Sequence, residues 1–212
     1  MKTAEDYLTK TDSAIRHLFS AAQTYLDTLK LGLQPTFMSG LLPGPELEAQ
    51  YAAWRIENAE ALEKAKDARQ NFREERFALD TLCGAILQIA EKGLEIYSEN
   101  KDIPSLWKDR IPKTLAKFSV GREVRGVPLG LIVYAARNQH THFNDRELRA
   151  ASAGVFHSLA SVHGLDSPTR DPAFDLENSA LTSYAANITA LIGWRDAEQY
   201  RKDMRSMLGV AP

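Results

Sequence analysis

The chain has 212 residues, a formal net charge of −2 at pH 7, 44% hydrophobic residues and 25% charged residues. This length suits one domain with a sizeable buried core, and this composition is ordinary for a soluble globular protein. No apolar run approaches the ~20 residues that cross a bilayer, and the first residues lack the apolar core of a signal peptide. The single cysteine excludes an internal disulfide. We therefore expect a cytoplasmic protein that does not contact a membrane.

Apolar residues recur with a helical period along most of the chain, and no stretch shows the alternation of a strand. We predict helices over residues 4–31, 45–68, 72–97, 105–110, 128–142, 145–163, 176–192 and 196–208. Segments rich in glycine or proline are predicted loops, at 32–45, 118–127 and 166–175. The predicted fold class is therefore all-α, a helical bundle with long antiparallel helices. We expect the chain to form one helical domain, residues 1–212, with a core over about 1–165 and a C-terminal helical extension over about 175–212.

The predicted helix 72–97 is the strongest candidate for the centre of the core, because its apolar residues follow one helical face. The side chains expected to be buried there are Phe77, Leu82, Ala85, Ile86, Ile89, Leu94 and Ile96. Further along, Asn144 and Glu147 have the spacing of a capping box. One helix is therefore expected to end at His142, and the next to begin almost at once.

Three polar residues lie close together where the apolar helix 128–142 is predicted to end: Arg137, Asn138 and His142. Arginine is a permanent cation with a planar fork of donors, which suits a phosphate. Histidine titrates near neutral pH and can act as a base or an acid. Asn138 precedes His142 by four residues, so its amide can hydrogen-bond the imidazole on one helix face. Arg137 and His142 are five apart, which separates them by roughly 140° on an ideal helix.

The sequence Arg137-Asn138-x-x-x-His142 resembles the Arg-(four to six residues)-His signature of HEPN domains, in the common form with a polar residue after the arginine. HEPN proteins are small all-helical domains, and many are metal-independent ribonucleases that act as dimers. The resemblance covers six residues. It implies a HEPN-like bundle, an RNA substrate, no metal or other cofactor, and a homodimer in which two copies of the motif meet in one cleft.

The implied reaction is RNA cleavage through the 2′-hydroxyl, which DNA lacks. His142 acts as the catalytic acid or base, Arg137 binds and polarises the phosphate, and Asn138 orients the His142 imidazole. Such an enzyme suits a toxin or a phage-defence factor, with an antitoxin or a nucleotidyltransferase as a possible partner. His140 adds an imidazole that the signature does not require, and we assign it to RNA binding.

Positive charge is concentrated around the motif. Residues 101–150 hold ten Lys or Arg and five acids, so this window carries +5 while the rest of the chain carries −7. Such an excess of positive charge attracts a polyanion such as RNA to this part of the protein. Arg122 and Arg125 are therefore candidate contacts for the RNA backbone.

Other interpretations of the motif stay open. Arg137 can simply pair with an acid such as Glu147, while His142 caps a helix end. His140, His142 and Asp145 can suggest a metal site, although one His-x-His is a weak metal signal and a helix splays the two imidazoles apart. The alternative function is a non-catalytic HEPN-like helical dimer that binds nucleotide, RNA or a partner protein. Its candidate contact residues are Trp54, Trp107 and Trp194.

Overall fold

A computed structural model describes residues 1–143, 148–163 and 168–211, and the all-α prediction is confirmed. The α-helices are α1 (Ala4–Leu31), α2 (Pro45–Glu57), α3 (Ala59–Tyr97), α4 (Leu129–Thr141), α5 (Ala150–Ala160), α6 (Ala185–Leu191) and α7 (Ala197–Met207). Short 3₁₀ helices lie at Ser105–Trp107 and Lys113–Phe118. The predicted capping box at residues 144–147 lies outside the described residues. No helix in the described part of the chain is long and apolar enough to cross a membrane.

Two short antiparallel hairpins interrupt the helices, which the sequence did not predict. Strand β1 (Glu123–Val124) pairs with β2 (Val127–Pro128), and β3 (Ser161–His163) pairs with β4 (Pro168–Arg170). The first turn has two consecutive residues with positive φ, Arg125 at 52° and Gly126 at 73°, which is typical of a tight hairpin. Both hairpins are too short to show alternation in the sequence.

The chain divides into two compact units. The main unit comprises Met1–Ala22 and Ala78–Pro212, and the insert unit comprises Gln23–Phe77. Helices α1 and α3 contribute residues to both units.

Helix α4 is the centre of the main unit. Leu131, Ile132 and Val133 are completely buried although they point in different directions around the helix. The helix contacts α5, α6 and the 3₁₀ helix Lys113–Phe118. A methyl group on Gly130 would lie 2.5 Å from the Phe118 carbonyl oxygen, so only glycine permits this approach. Helix α4 is therefore enclosed on several sides up to the residues of the motif.

The first turns of α1 belong to the same core. The Tyr7 hydroxyl donates to the Ile89 carbonyl at 2.6 Å, which joins α1 to α3. Asp12 accepts a hydrogen bond from Arg201 of α7 at 2.5 Å. These contacts connect the two ends of the chain within the main unit.

Two helix boundaries differ from the prediction for identifiable reasons. Helix α2 ends at Glu57 because Asn58 caps it, with its backbone N–H and its side-chain amide both donating to the Trp54 carbonyl at 2.9 Å. Helix α3 then begins at Ala59, well before the predicted start, because the charged stretch after Ala59 continues the core helix without a break. The predicted helix 45–68 is therefore wrong in its second half.

The predicted helix 176–192 is helical only from Ala185 to Leu191. Asp175 accepts the backbone N–H of Glu177 at 3.2 Å, and Asn178 accepts that of Ala180 at 3.1 Å. Such side-chain acceptors stabilise turns that compete with a helix. The segment before α6 is therefore a series of turns.

Candidate functional site at the end of helix α4

The predicted motif lies where α4 ends. The last helical residue is Thr141, and the backbone N–H of His142 still donates to the Asn138 carbonyl at 3.0 Å. His142 itself has φ −115° and ψ 29°, outside helical geometry, and it is exposed. The angular separation expected on an ideal helix therefore does not apply to its side chain, because the helix has already unwound at this residue.

Arg137 lies between an amide and a carboxylate. Its NH1 donates to Asn138 Oδ1 at 3.2 Å, and its Nε is 3.9 Å from Glu91 Oε2. That second distance is too long for a hydrogen bond, and both atoms are buried without a hydrogen-bond partner. The side chain of Arg137 is 22% exposed. The guanidinium is therefore held in place on one side and partly open on another.

Glu91 is a site residue that the sequence reasoning missed. It lies on α3 and is buried, and burial raises the pKa of its carboxyl group while the Arg137 charge opposes that shift. A signal was present in the sequence. Glu91 follows the buried Leu87 by four residues and precedes the buried Leu94 by three, so the helical period places this acid on the apolar face of its helix.

Asn138 holds Arg137 within the fold. Its side chain is buried, its Nδ2 donates to Ser152 Oγ at 3.3 Å, and its Oδ1 accepts from Arg137. The amide therefore joins α4 to α5 and fixes the guanidinium. The predicted hydrogen bond from Asn138 to His142 stays a prediction.

His140 has a different environment from His142. Its Nδ1 is 2.9 Å from Ser183 Oγ, and burial lowers its pKa against the opposing charge of Asp80. A methyl group on Gly84 would lie 2.1 Å from the His140 ring, so this ring lies directly against α3. Such contacts favour a neutral packing residue. Asp145, which the alternative metal site requires, lies outside the described residues.

Arg122 is engaged in an ion pair within the fold. Its Nε and NH2 donate to the two carboxylate oxygens of Asp203 at 3.1 and 3.0 Å, and NH2 also donates to the Ile192 carbonyl. The Trp194 indole donates to the same carboxylate at 2.8 Å. Burial opposes ionisation of Asp203, but the hydrogen bonds from Arg122 and Trp194 hold its pKa below the usual range. This network stabilises the C-terminal helices.

Arg125 is also engaged. Its NH1 donates to the Leu159 carbonyl at 2.5 Å and to Asp171 at 2.9 Å, and its guanidinium lies 4.9 Å from the centre of the Phe174 ring. A direct role of Arg122 or Arg125 in RNA binding stays a prediction, and both have a structural role that the sequence did not reveal. The structure thus brings Arg137, Asn138 and Glu91 together and leaves the other two arginines in separate networks.

Fold and site together define this chain as an all-α protein with an arginine and a histidine at the end of a buried helix. Comparisons with protein-family models, with curated proteins and with solved structures return no match. The chemistry of the site is therefore the basis for a function. A permanent cation supported by a buried amide, five residues before an exposed histidine, provides groups that can bind a phosphate and transfer a proton.

Proposed function

We propose that the protein is a metal-independent endoribonuclease of the HEPN type that cleaves RNA with Arg137 and His142. The observation that carries the proposal is the support of Arg137. A buried amide accepts a hydrogen bond from its guanidinium, a buried carboxyl group lies 3.9 Å from its Nε, and an exposed histidine follows five residues later. Catalysis of phosphoryl chemistry depends on such preorganised charge.

In the proposed reaction, one His142 imidazole removes the proton of the 2′-hydroxyl. The 2′-oxygen attacks the adjacent phosphorus, the bond to the 5′-oxygen breaks, and a second acid gives that oxygen a proton. The products are a 2′,3′-cyclic phosphate and a free 5′-hydroxyl. Arg137 stabilises the charge on the non-bridging phosphate oxygens. Asn138 and Glu91 act as positioning residues for Arg137.

The acid and the base are the same residue from two copies of the chain. A two-fold dimer that joins the ends of two α4 helices supplies two arginines and two histidines to one cleft. The assignment of His140 to RNA binding stays a prediction, and its ring packs against α3 with its Nδ1 2.9 Å from Ser183 Oγ. A cytoplasmic toxin or phage-defence factor, controlled by an antitoxin or a nucleotidyltransferase, is the biological role that suits this activity.

A second function has its own support. Arg122 and Arg125 are engaged within the fold, and Arg137 lies beside an acid, so less positive charge is available to RNA than the sequence suggested. The alternative is a non-catalytic helical dimer that binds RNA, nucleotide or a partner protein without turnover, and this arrangement favours its partner-protein form. Trp107 and Trp194 are buried, which leaves only Trp54 of the three tryptophans as a contact residue for that alternative.

The test is cleavage of single-stranded RNA in the presence of EDTA, with the product ends analysed for 2′,3′-cyclic phosphate. We expect wild-type protein to cut RNA and to leave DNA of the same sequence intact. His142→Ala and Arg137→Ala should each lower the rate by about 10²–10⁴-fold, the usual contribution of a general acid or base and of a charge-stabilising group.

The matched controls are His157→Ala and Arg149→Ala, which remove an exposed histidine and an exposed arginine outside the motif. Both controls should keep wild-type activity. Equal cleavage by the motif variants and the controls would contradict the mechanism. Salt-dependent RNA binding without any cleavage by the wild type would establish the second function instead.

A further inference from the structure

The main unit contains a cavity of about 590 Å³ that lies between the turn after the 3₁₀ helix Ser105–Trp107, the β1–β2 hairpin and the end of α5. Arg110, Arg125, Ser158 and Ser161 are among the residues that line it. Pockets of this volume hold small molecules. No aspartate or glutamate belongs to its lining within the described residues, whereas two arginines do. A cavity lined by one sign of charge attracts the opposite sign, so this cavity favours an anion.

Arg110 supplies the positive charge that the fold leaves unneutralised. Its side chain is exposed, and among the described residues it has no hydrogen bond and no ion pair. Its guanidinium lies 5.6 Å from the centre of the Trp107 ring, which holds it by a cation–π contact. The Trp107 ring is itself fixed, because it is buried and its indole N–H donates to the Gly126 carbonyl at 3.1 Å. A cation that is oriented in advance, with its side-chain donors unused, loses less entropy when it binds an anion.

Arg125 lines the same cavity with part of its guanidinium already engaged. Its NH1 donates to the Leu159 carbonyl and to Asp171, while its Nε and NH2 have no hydrogen bond to any described residue. Arg125 therefore adds donors but less net charge than Arg110. Two guanidiniums on different segments can bind separate oxygens of a tetrahedral phosphate, whereas a single fork already satisfies a planar carboxylate. The pair of arginines favours a phosphate.

The two serines add hydrogen-bond acceptors to the cavity. Ser158 Oγ donates to the Gly154 carbonyl at 3.0 Å, and Ser161 Oγ donates to the His157 carbonyl at 2.8 Å. A hydroxyl group has one proton, so each serine oxygen remains as an acceptor only. A ligand hydroxyl can donate to such an oxygen, whereas a phosphate oxygen cannot. The lining thus combines donors for a phosphate with acceptors for hydroxyl groups.

We propose that this cavity binds a small phosphorylated molecule that carries free hydroxyl groups, of the sugar-phosphate class. Arg110 binds the phosphate with the help of Arg125, and the serine oxygens accept hydrogen bonds from the ligand hydroxyls. The cavity lies on a different face of α5 from the motif. Ser152 of this helix contacts Asn138, and Ser158 follows six residues later, which places it about 120° away around the helix. The proposal therefore does not depend on RNA cleavage.

The first experiment measures binding by isothermal titration calorimetry with ribose 5-phosphate as the probe. We expect one saturable site per chain. Ribose lacks the phosphate and gluconate is a polyhydroxy carboxylate, so each should bind at least about tenfold more weakly, because charge-assisted hydrogen bonds to a phosphate are lost. Gluconate that binds as tightly as ribose 5-phosphate would overturn the proposal.

The second experiment tests Arg110. Arg110→Gln should weaken the binding of ribose 5-phosphate by about 10–100-fold, because it removes the charge that faces the phosphate. Arg110→Lys keeps the charge without the planar fork and should give an intermediate affinity. The matched control, Lys108→Gln, removes an exposed cation of the same segment outside the lining and should bind as the wild type does. Equal affinities of Arg110→Gln and Lys108→Gln, both with the circular dichroism spectrum of the wild type, would contradict the assignment.

The third experiment tests the hydroxyl groups with two probes. Ser158→Ala should weaken the binding of ribose 5-phosphate by about 2–10-fold, since it removes one neutral hydrogen bond, and should leave the binding of inorganic phosphate unchanged. Equal effects on both probes would remove the role of the serine. A wild type that does not bind ribose 5-phosphate at about 10 mM, or that releases it to single-stranded DNA at equal phosphate concentration, would overturn the whole proposal.

Discussion

The helices of the main unit bury most of their apolar side chains, whereas those of the insert unit leave several apolar side chains exposed. In the main unit, Leu131, Ile132 and Val133 of α4 are completely buried, and the helix is enclosed by its neighbours. In the insert unit, Ile56 of α2 and Phe77 of α3 are 79% and 59% exposed although both lie in helices. Apolar periodicity thus indicates a helix face that needs a partner. Whether that partner belongs to the same chain is decided by the tertiary structure.

The largest expected difference between the units concerns core truncation. Leu131→Ala should lower the free energy of unfolding by about 2–5 kcal/mol, because it leaves a cavity in an enclosed site. Leu33→Ala in the insert unit should change it by less than about 0.5 kcal/mol, because the side chain is in water. Urea unfolding of dilute protein, followed by circular dichroism, measures both values. Similar losses in the two variants would show that the insert unit has a core after all.

A smaller effect is expected where two helices touch. Gly84→Ala forces the His140 ring away from α3, since the added methyl would lie 2.1 Å from that ring. Overpacking of this kind costs about 1–3 kcal/mol. Gly40→Ala is the matched control in the insert unit, because a methyl group there meets nothing within 4 Å. Thermal unfolding should show a lower midpoint for Gly84→Ala only, and an unchanged midpoint would mean that the two helices are further apart.

The smallest expected effect is on the pH dependence of the free energy of unfolding, which the buried acid Glu91 contributes to. Burial raises the pKa of Glu91, so the folded protein holds this proton to a higher pH than the unfolded chain does. The wild type therefore loses stability as the pH rises from the unfolded value, about 4.3, through the raised folded value. Glu91→Gln lacks this group and should lose that part of the slope. Asn71→Gln, at an exposed residue of the insert unit that does not titrate, should keep the wild-type slope in unfolding measurements between pH 4 and neutrality.

Much of the fold could be predicted because helical periodicity is a local property. Helix α1 has the predicted bounds, and α4 ends beside the predicted histidine. The helical period predicted helix boundaries wrongly where side chains compete for backbone hydrogen bonds, as Asn58 and Asn178 do. It also failed at Phe77 and Ile96, predicted core residues that are 59% and 60% exposed, because a period identifies a helix face and not what covers it.

The sequence located the candidate site but could not show which distant residues contact it. The spacing of Arg137, Asn138 and His142 placed them together at a helix end. It could not reveal that the amide bonds Ser152 of the next helix, or that Glu91 lies beside the guanidinium, because both contacts join distant parts of the chain. The window of positive charge was also less informative than it appeared, since Arg122 and Arg125 bind acids of the same fold.

The most direct measurement of the central claim is the effect of His142→Ala protein on the wild type. The two proteins are mixed at equal concentration under conditions that allow exchange of copies, and wild type mixed with His157→Ala is the control. If the base and the acid are the His142 side chains of two copies in one cleft, a mixed dimer lacks one of them. Random exchange leaves about a quarter of the dimers with two intact copies, so our account predicts that the wild type loses about half of its cleavage rate. A cleavage rate that His142→Ala leaves unchanged, under proven exchange, would contradict it.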